Sequence, residues 1–263
     1  MRKRLLSAAV LATVLVTGGC AGKAFNDSPQ AGGEGEVPNI RALSKALTDK
    51  TAGVTSTHVT LTGEAGGKTV SGDADLNYAN GKIAMRMTMQ AEGLDVSMRL
   101  VDEVLYFKLP KELEPGKPWV KLDLNNSDIP AAKALAGMLK SAKSMDPAVT
   151  MQSLSETGEI KSAEDDNIDG KPVKHYKVVV DPARMDTTKL GLDEAGAKAI
   201  KDAGLTEFPV DLWIGADNLP VRMVVDMPTK AGGGKMRMDY SDWGKPVDVA
   251  APPAAEVTDF PTK

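Results

Sequence analysis

The 263-residue sequence contains one sulfur nucleophile, Cys20, and its neighbours give it a task. Arg2, Lys3 and Arg4 precede an uncharged stretch from Leu5 to Thr17, and Gly18-Gly19 stand immediately before Cys20. A basic start, a short apolar run and small residues before a cut site make a secretory signal. The apolar run falls short of the ~20 residues that a spanning helix needs. Cys20 occupies the lipobox position at which bacterial signal processing attaches acyl chains through a thioether. Thr17 stands where Leu is the usual occupant. We therefore expect residues 1–19 to be removed and lipidated Cys20 to begin the mature chain. With a single Cys there is neither an internal disulfide nor a Cys-based zinc site.

Other residues that could do chemistry read as structural. Both histidines, His58 and His175, fall in strand-like segments, where each is expected to be an ordinary strand-face residue rather than a base. No G-x-S-x-G elbow, H-E-x-x-H, P-loop or G-x-G-x-x-G is present, so no enzyme is expected. Asp165, Asn167, Asp169 and Gly170 fit the first half of a calcium loop, but Tyr176 stands where the bidentate Glu belongs. A polar hairpin turn is the better account, and no metal or other cofactor is expected. Gly232-Gly233-Gly234 precede a strand, not a helix, and read as a turn instead of a phosphate cradle.

Charge and composition narrow the class further. The chain has 32 Lys+Arg against 36 Asp+Glu; losing Arg2, Lys3 and Arg4 leaves 29 against 36, a net charge of −7. That excludes a basic, nucleic-acid-coating surface. An acidic body held by acyl chains would stand off an anionic leaflet instead of lying on it. Residues 20–39 read as the lipidated Cys with a Gly- and Pro-rich tether. Residues 40–260 read as a single domain, with an irregular, extended tail after Trp243.

The elements follow from periodicity. Ile40, Leu43, Ala46 and Leu47 have helical spacing that stops at Gly53. The period then falls to two through Val59–Leu61, Val70–Tyr78, Ile83–Met89, Leu94–Leu100 and Val104–Tyr106, with turn residues between runs. Trp119–Leu124 adds a strand. Ile129–Ala142, Pro147–Ser155 and Glu194–Ala203 suggest helices, and further strands are expected over Val173–Val180, Pro209–Ile214, Val221–Met227 and Lys235–Tyr240. The fold class is α+β: a long antiparallel sheet with a few helices on one side.

Eight of the 13 methionines fall in those strands. Met85, Met87, Met89 and Met98, then Met223, Met227, Met236 and Met238, recur two or four residues apart within their runs and so share a face. Strands favour β-branched and aromatic residues. Unbranched, polarizable Met instead adapts to varied partners, which suits a surface for flexible acyl chains; the competing account is an ordinary core under the helices. The candidate lining is Met85, Met87, Met89, Val96, Met98, Leu100, Met223, Val225, Met236 and Met238 from the sheet, with Leu135, Met138 and Leu139 from a helical lid.

Several segments together carry a family resemblance. They are the lipobox and tether, Val54-Thr55-Ser56-Thr57-His58, Ser71-Gly72-Asp73-Ala74-Asp75, Ile168-Asp169-Gly170 leading to His175-Tyr176, and Tyr240-Ser241-Asp242-Trp243-Gly244-Lys245-Pro246-Val247. The chain resembles the LppX/LprA/LprF/LprG family of actinobacterial lipoproteins over about Ile40 to Pro252. The resemblance implies a curved antiparallel half-barrel with helices on its concave side, similar to the lipoprotein carrier LolA. It also implies a hydrophobic cavity for acylated lipids or glycolipids that are moved across the envelope. Such a carrier would sit on the extracytoplasmic face of the cell membrane through Cys20, with a membrane transporter as a further partner. The alternative is a lipid-anchored sensor or protein-interaction module on the same fold.

Overall fold

The computed structural model describes residues 39–65, 67–78, 83–91, 93–109, 111–125, 147–184, 206–227 and 234–261. Cys20, the expected lid Leu135, Met138 and Leu139, and the expected helix over Glu194–Ala203 lie outside these residues.

Helix α1 spans Ile40–Thr51 and starts where Asn39 caps it, its side chain accepting from Arg41 N at 2.9 Å. Leu43 and Leu47, one turn apart, are buried. On the outward side Lys45 pairs with Asp49 at 2.6 Å. Helix α2 spans Pro147–Thr157. Its last residue turns the hydroxyl back to Ser153 O at 2.8 Å, and the chain passes directly into a strand at Gly158. Gly158 is required there, because a Cβ would meet Leu154 O at 2.7 Å and Val178 Cγ1 at 2.8 Å.

Among the described residues the sheet has 12 strands: β1 (Ser56–Ala65), β2 (Lys68–Asn77), β3 (Ala84–Ala91), β4 (Leu94–Val101), β5 (Val104–Lys108), β6 (Trp119–Asp123), β7 (Gly158–Ile168), β8 (Lys171–Val180), β9 (Phe208–Gly215), β10 (Pro220–Met227), β11 (Gly234–Ser241) and β12 (Val257–Asp259). Its order is β12-β6-β5-β4-β3-β2-β1-β11-β10-β9-β8-β7. Two antiparallel meanders, β1–β6 and β7–β11, are therefore joined where β1 pairs with β11, and the sheet stays open with β7 and β12 at its edges.

Turn chemistry sets the register. Asp102 and Glu103 both have positive φ, as do Asp169 and Gly170, matching the two-residue turns that suit a right-twisted hairpin. The C-terminal segment is clamped to the start of β1. Ser56 Oγ donates to Lys245 O at 2.6 Å, Gly244 N to Ser56 O at 2.9 Å, and Thr57 Oγ1 to Ser241 O at 3.0 Å.

Three sequence expectations change. Gly158–Ile168 forms β7, which the sequence reading left without a strand. Asp165 and Asn167 consequently belong to that strand, and the turn is Asp169-Gly170 alone. Asn167 Oδ1 accepts from Gly170 N at 2.7 Å and Asp165 pairs with Lys174 at 2.9 Å, so both serve the hairpin. The tail is also not irregular throughout: β12 pairs in parallel with β6, and Phe260 reaches Phe107 with ring centroids 6.1 Å apart.

Candidate functional site

Register assembles one apolar face across nine strands, β1–β6 and β9–β11. Across it Leu212, Met223, Met238, Leu61, Gly72, Met89 and Val96 stand as successive cross-strand partners. A neighbouring row runs Tyr240, Val59, Ala74, Met87, Met98, Phe107 and Val120. Met85 partners Leu100, and Val225 partners Met236, in the rows on either side. All ten sheet residues expected from the alternation thus fall on the same face, because strand side chains repeat with period two and the ladders keep partners level.

Packing divides most of that face into two clusters, with a smaller third of Leu122, Phe107, Leu124 and Phe260 at the β5–β6 end. Leu43 and Leu47 of α1 and Leu154 of α2 cluster with Ile160, Val178, Leu212 and Met223 of the β7–β10 end. Leu47 is 0% exposed and Leu212 1%, each burial contributing roughly 1.5–3 kcal/mol. Among the described residues, the second cluster, built on Val59, Ala74, Leu76, Met85, Met87 and Leu100, contains no residue of α1 or α2. Around it Leu61, Met89 and Met98 are only half-buried, and Val96 is 38% exposed. Met238 and Tyr240 pack against both clusters and form the seam between them. Sequence reading overlooked Val59, Leu61 and Tyr240 as parts of this surface, although their alternation in β1 and β11 carried the same signal.

Charge is placed on the opposite face. His58 Nδ1 lies 2.8 Å from Asp75, whose second oxygen accepts from Arg86. Burial acts to raise the Asp75 pKa, but the bonds from His58 and Arg86 and their positive charges outweigh it and hold the carboxyl below its ordinary value. At the other end His175 stacks flat on Trp213, centroids 4.1 Å apart, and its Nε2 lies 2.7 Å from Asp211. Trp213 Nε1 donates to Asp166 at 2.8 Å, and with the Asn167 amide this lowers the Asp166 pKa. Arg222 reaches Asp239 at 2.5 Å. Each histidine is therefore a strand-face residue paired with a carboxylate. Among the described residues no cluster of His, Cys, Asp or Glu could hold a metal ion.

Two open grooves, of about 390 and 570 Å³, are lined by mixtures of hydroxyl, carboxylate, guanidinium and apolar groups from β1–β4 and from β1, β2 and β9–β11. The first groove shares Leu61, Met89 and Val96 with the apolar face, where polar groups of β1–β4 meet it. No helix among the described residues is long and apolar enough to cross a membrane.

Comparison with known proteins places this architecture. LprF from Mycobacterium bovis has the same fold, with a TM-score of 0.51 at 19% identity over 82% of this chain and 97% of that one. The Mycobacterium tuberculosis lipoprotein LppX is 18% identical over 80% of this chain and 98% of that one, with a TM-score of 0.48. A curated relative, an uncharacterized 31.2 kDa protein from the rplA-rplJ intergenic region of Streptomyces griseus, is 24% identical over 200 residues, 73% of this chain. The chain spans 65% of that relative's length. The open antiparallel sheet is LolA-like. The LppX_LprAFG lipoprotein profile matches residues 40–249, and with that match over most of its length the chain belongs to the LppX_LprAFG lipoprotein family.

Proposed function

We propose that this protein binds acylated lipids or glycolipids against its methionine-rich sheet face and helps carry them across the cell envelope. In this reading residues 1–19 are a signal peptide, and acylated Cys20 holds the protein at the outer face of the cytoplasmic membrane. Residues 20–39 are the tether that gives the domain its reach. A membrane transporter that delivers or receives the lipid completes the scheme, and no step requires catalysis by this chain.

The single observation that carries the proposal is the apolar face that runs on past the helix-packed cluster, with Leu61, Met89 and Met98 half-buried and Val96 exposed. Taking a hydrocarbon chain out of a bilayer requires comparable apolar area, because each methylene is worth ~0.8 kcal/mol. Flexible thioether side chains on a pleated floor can follow chains of different length and branching. Membership in a lipoprotein family and the LolA-like fold support the same reading.

Transfer between vesicles tests it. The full chain carrying Cys20→Ala, mixed with donor vesicles containing a fluorescent diacyl lipid, should remove the lipid in proportion to protein added and deliver it to acceptor vesicles. Transfer no faster than in protein-free controls would overturn the proposal.

A further inference from the structure

Tyr240 places a polar group on the seam of the apolar face. Its ring packs against both hydrophobic clusters, its cross-strand partner is Val59, and Trp243 stacks on it with centroids 5.8 Å apart. The hydroxyl has a poor partner: it donates to Met238 Sδ at 3.7 Å, a thioether being a weak acceptor. A buried phenol ordinarily finds an oxygen acceptor near 2.7–2.8 Å. Trp243 offers none, because an indole N–H only donates, here to Pro220 O at 3.0 Å. A phenol keeps its proton at neutral pH, and burial pushes its pKa further up, so the group is a donor.

From this geometry we infer that Tyr240 is a specificity-determining residue that donates a hydrogen bond to an ester carbonyl of the bound lipid, selecting ester-linked acyl chains over ether-linked ones. The inference rests on the lipid-binding reading above and adds where the acyl ester sits. An ester carbonyl is an acceptor without a donor, so a single O–H satisfies it in an otherwise apolar setting. A sugar hydroxyl or a phosphate would need several partners that Val59, Met238 and the Trp243 ring do not supply. The carbonyl stands at the head of each acyl chain, so this contact fixes where the hydrocarbon begins and directs it along the methionine rows.

The test compares dipalmitoyl phosphatidylcholine with its dihexadecyl ether analogue, offered in equal amounts from vesicles to the full chain carrying Cys20→Ala, with bound lipid counted by native mass spectrometry. The parent should retain the ester lipid over the ether by about threefold to tenfold, the worth of one neutral hydrogen bond. Adding Tyr240→Phe should bring ester binding down to the ether level. Adding Met238→Leu, which removes the competing thioether and keeps the phenol, should preserve or widen the preference. Equal uptake of both lipids by the parent, or a preference that survives Tyr240→Phe, overturns the ester contact while leaving lipid binding standing. Uptake of neither lipid overturns the lipid-binding reading and the contact with it.

Discussion

Met223 of β10 stands directly opposite Met238 of β11, and Met238 in turn faces Leu61 of β1 across the junction of the two meanders. Methionine thus continues the apolar surface from the helix-packed end of the sheet to the end where the side chains are only half-buried. A tightly specified core would use branched residues there, because Met fixes packing poorly. The same looseness is an asset in a surface that accommodates flexible chains.

Val96 is the most direct place to disturb that surface without disturbing the fold. At 38% exposed it contributes little to the core, so Val96→Asp should leave the thermal midpoint nearly unchanged. A carboxylate beside Met89 would nevertheless place charge where hydrocarbon has to lie. Lipid transfer between vesicles should fall about tenfold or more, and transfer at the parent rate would detach the β3–β4 part of the face from lipid binding.

Asp75 anchors the polar side and gives the fold a defined acid response. Its pKa is lower in the folded state than in the unfolded chain, so the stabilisation is fully present above the ordinary carboxylate range and is lost as pH falls through the lowered value. Urea midpoints should therefore decline below about pH 4. Asp75→Asn should cost about 1–2 kcal/mol at pH 7, because the partners His58 and Arg86 lose a charged acceptor. The variant should also show a shallower acid decline, and an identical pH slope in parent and variant would remove Asp75 from the response.

Trp243 closes the C-terminal turn on β10. Its indole N–H satisfies the carbonyl of Pro220, which is among the most buried residues of the chain. Trp243→Phe keeps a ring beside Tyr240 but orphans that carbonyl, at a cost of about 1–3 kcal/mol. Chemical denaturation checks this, and an unchanged midpoint would assign the indole to packing alone.

Much of this architecture was legible because alternation is a clean signal in β1–β5 and β8–β11, where one side of each strand is apolar and the other polar. β7 was illegible for two physical reasons. Glu159, Lys161, Glu164, Asp165, Asp166 and Asn167 put charged or polar side chains on both sides of an edge strand, and the irregularity between Ile160 and Ser162 breaks the period of two. β12 escaped notice because three residues after Pro252-Pro253 carry no period, and what holds them is pairing with distant β6. The sheet part of the candidate site could be read from methionine spacing, and alternation in β11 puts Tyr240 on the same face; its place at the seam could not be read, because it comes from touching two clusters at once, which only the pairing of β1 with β11 creates.

Native mass spectrometry of the full chain carrying Cys20→Ala, purified gently from an actinobacterial host, measures the central claim directly. The account predicts a population heavier than the polypeptide by the mass of acylated lipid, released when Val96→Asp is introduced. A spectrum containing only the bare polypeptide, under conditions that keep a reference lipid carrier loaded, would contradict it.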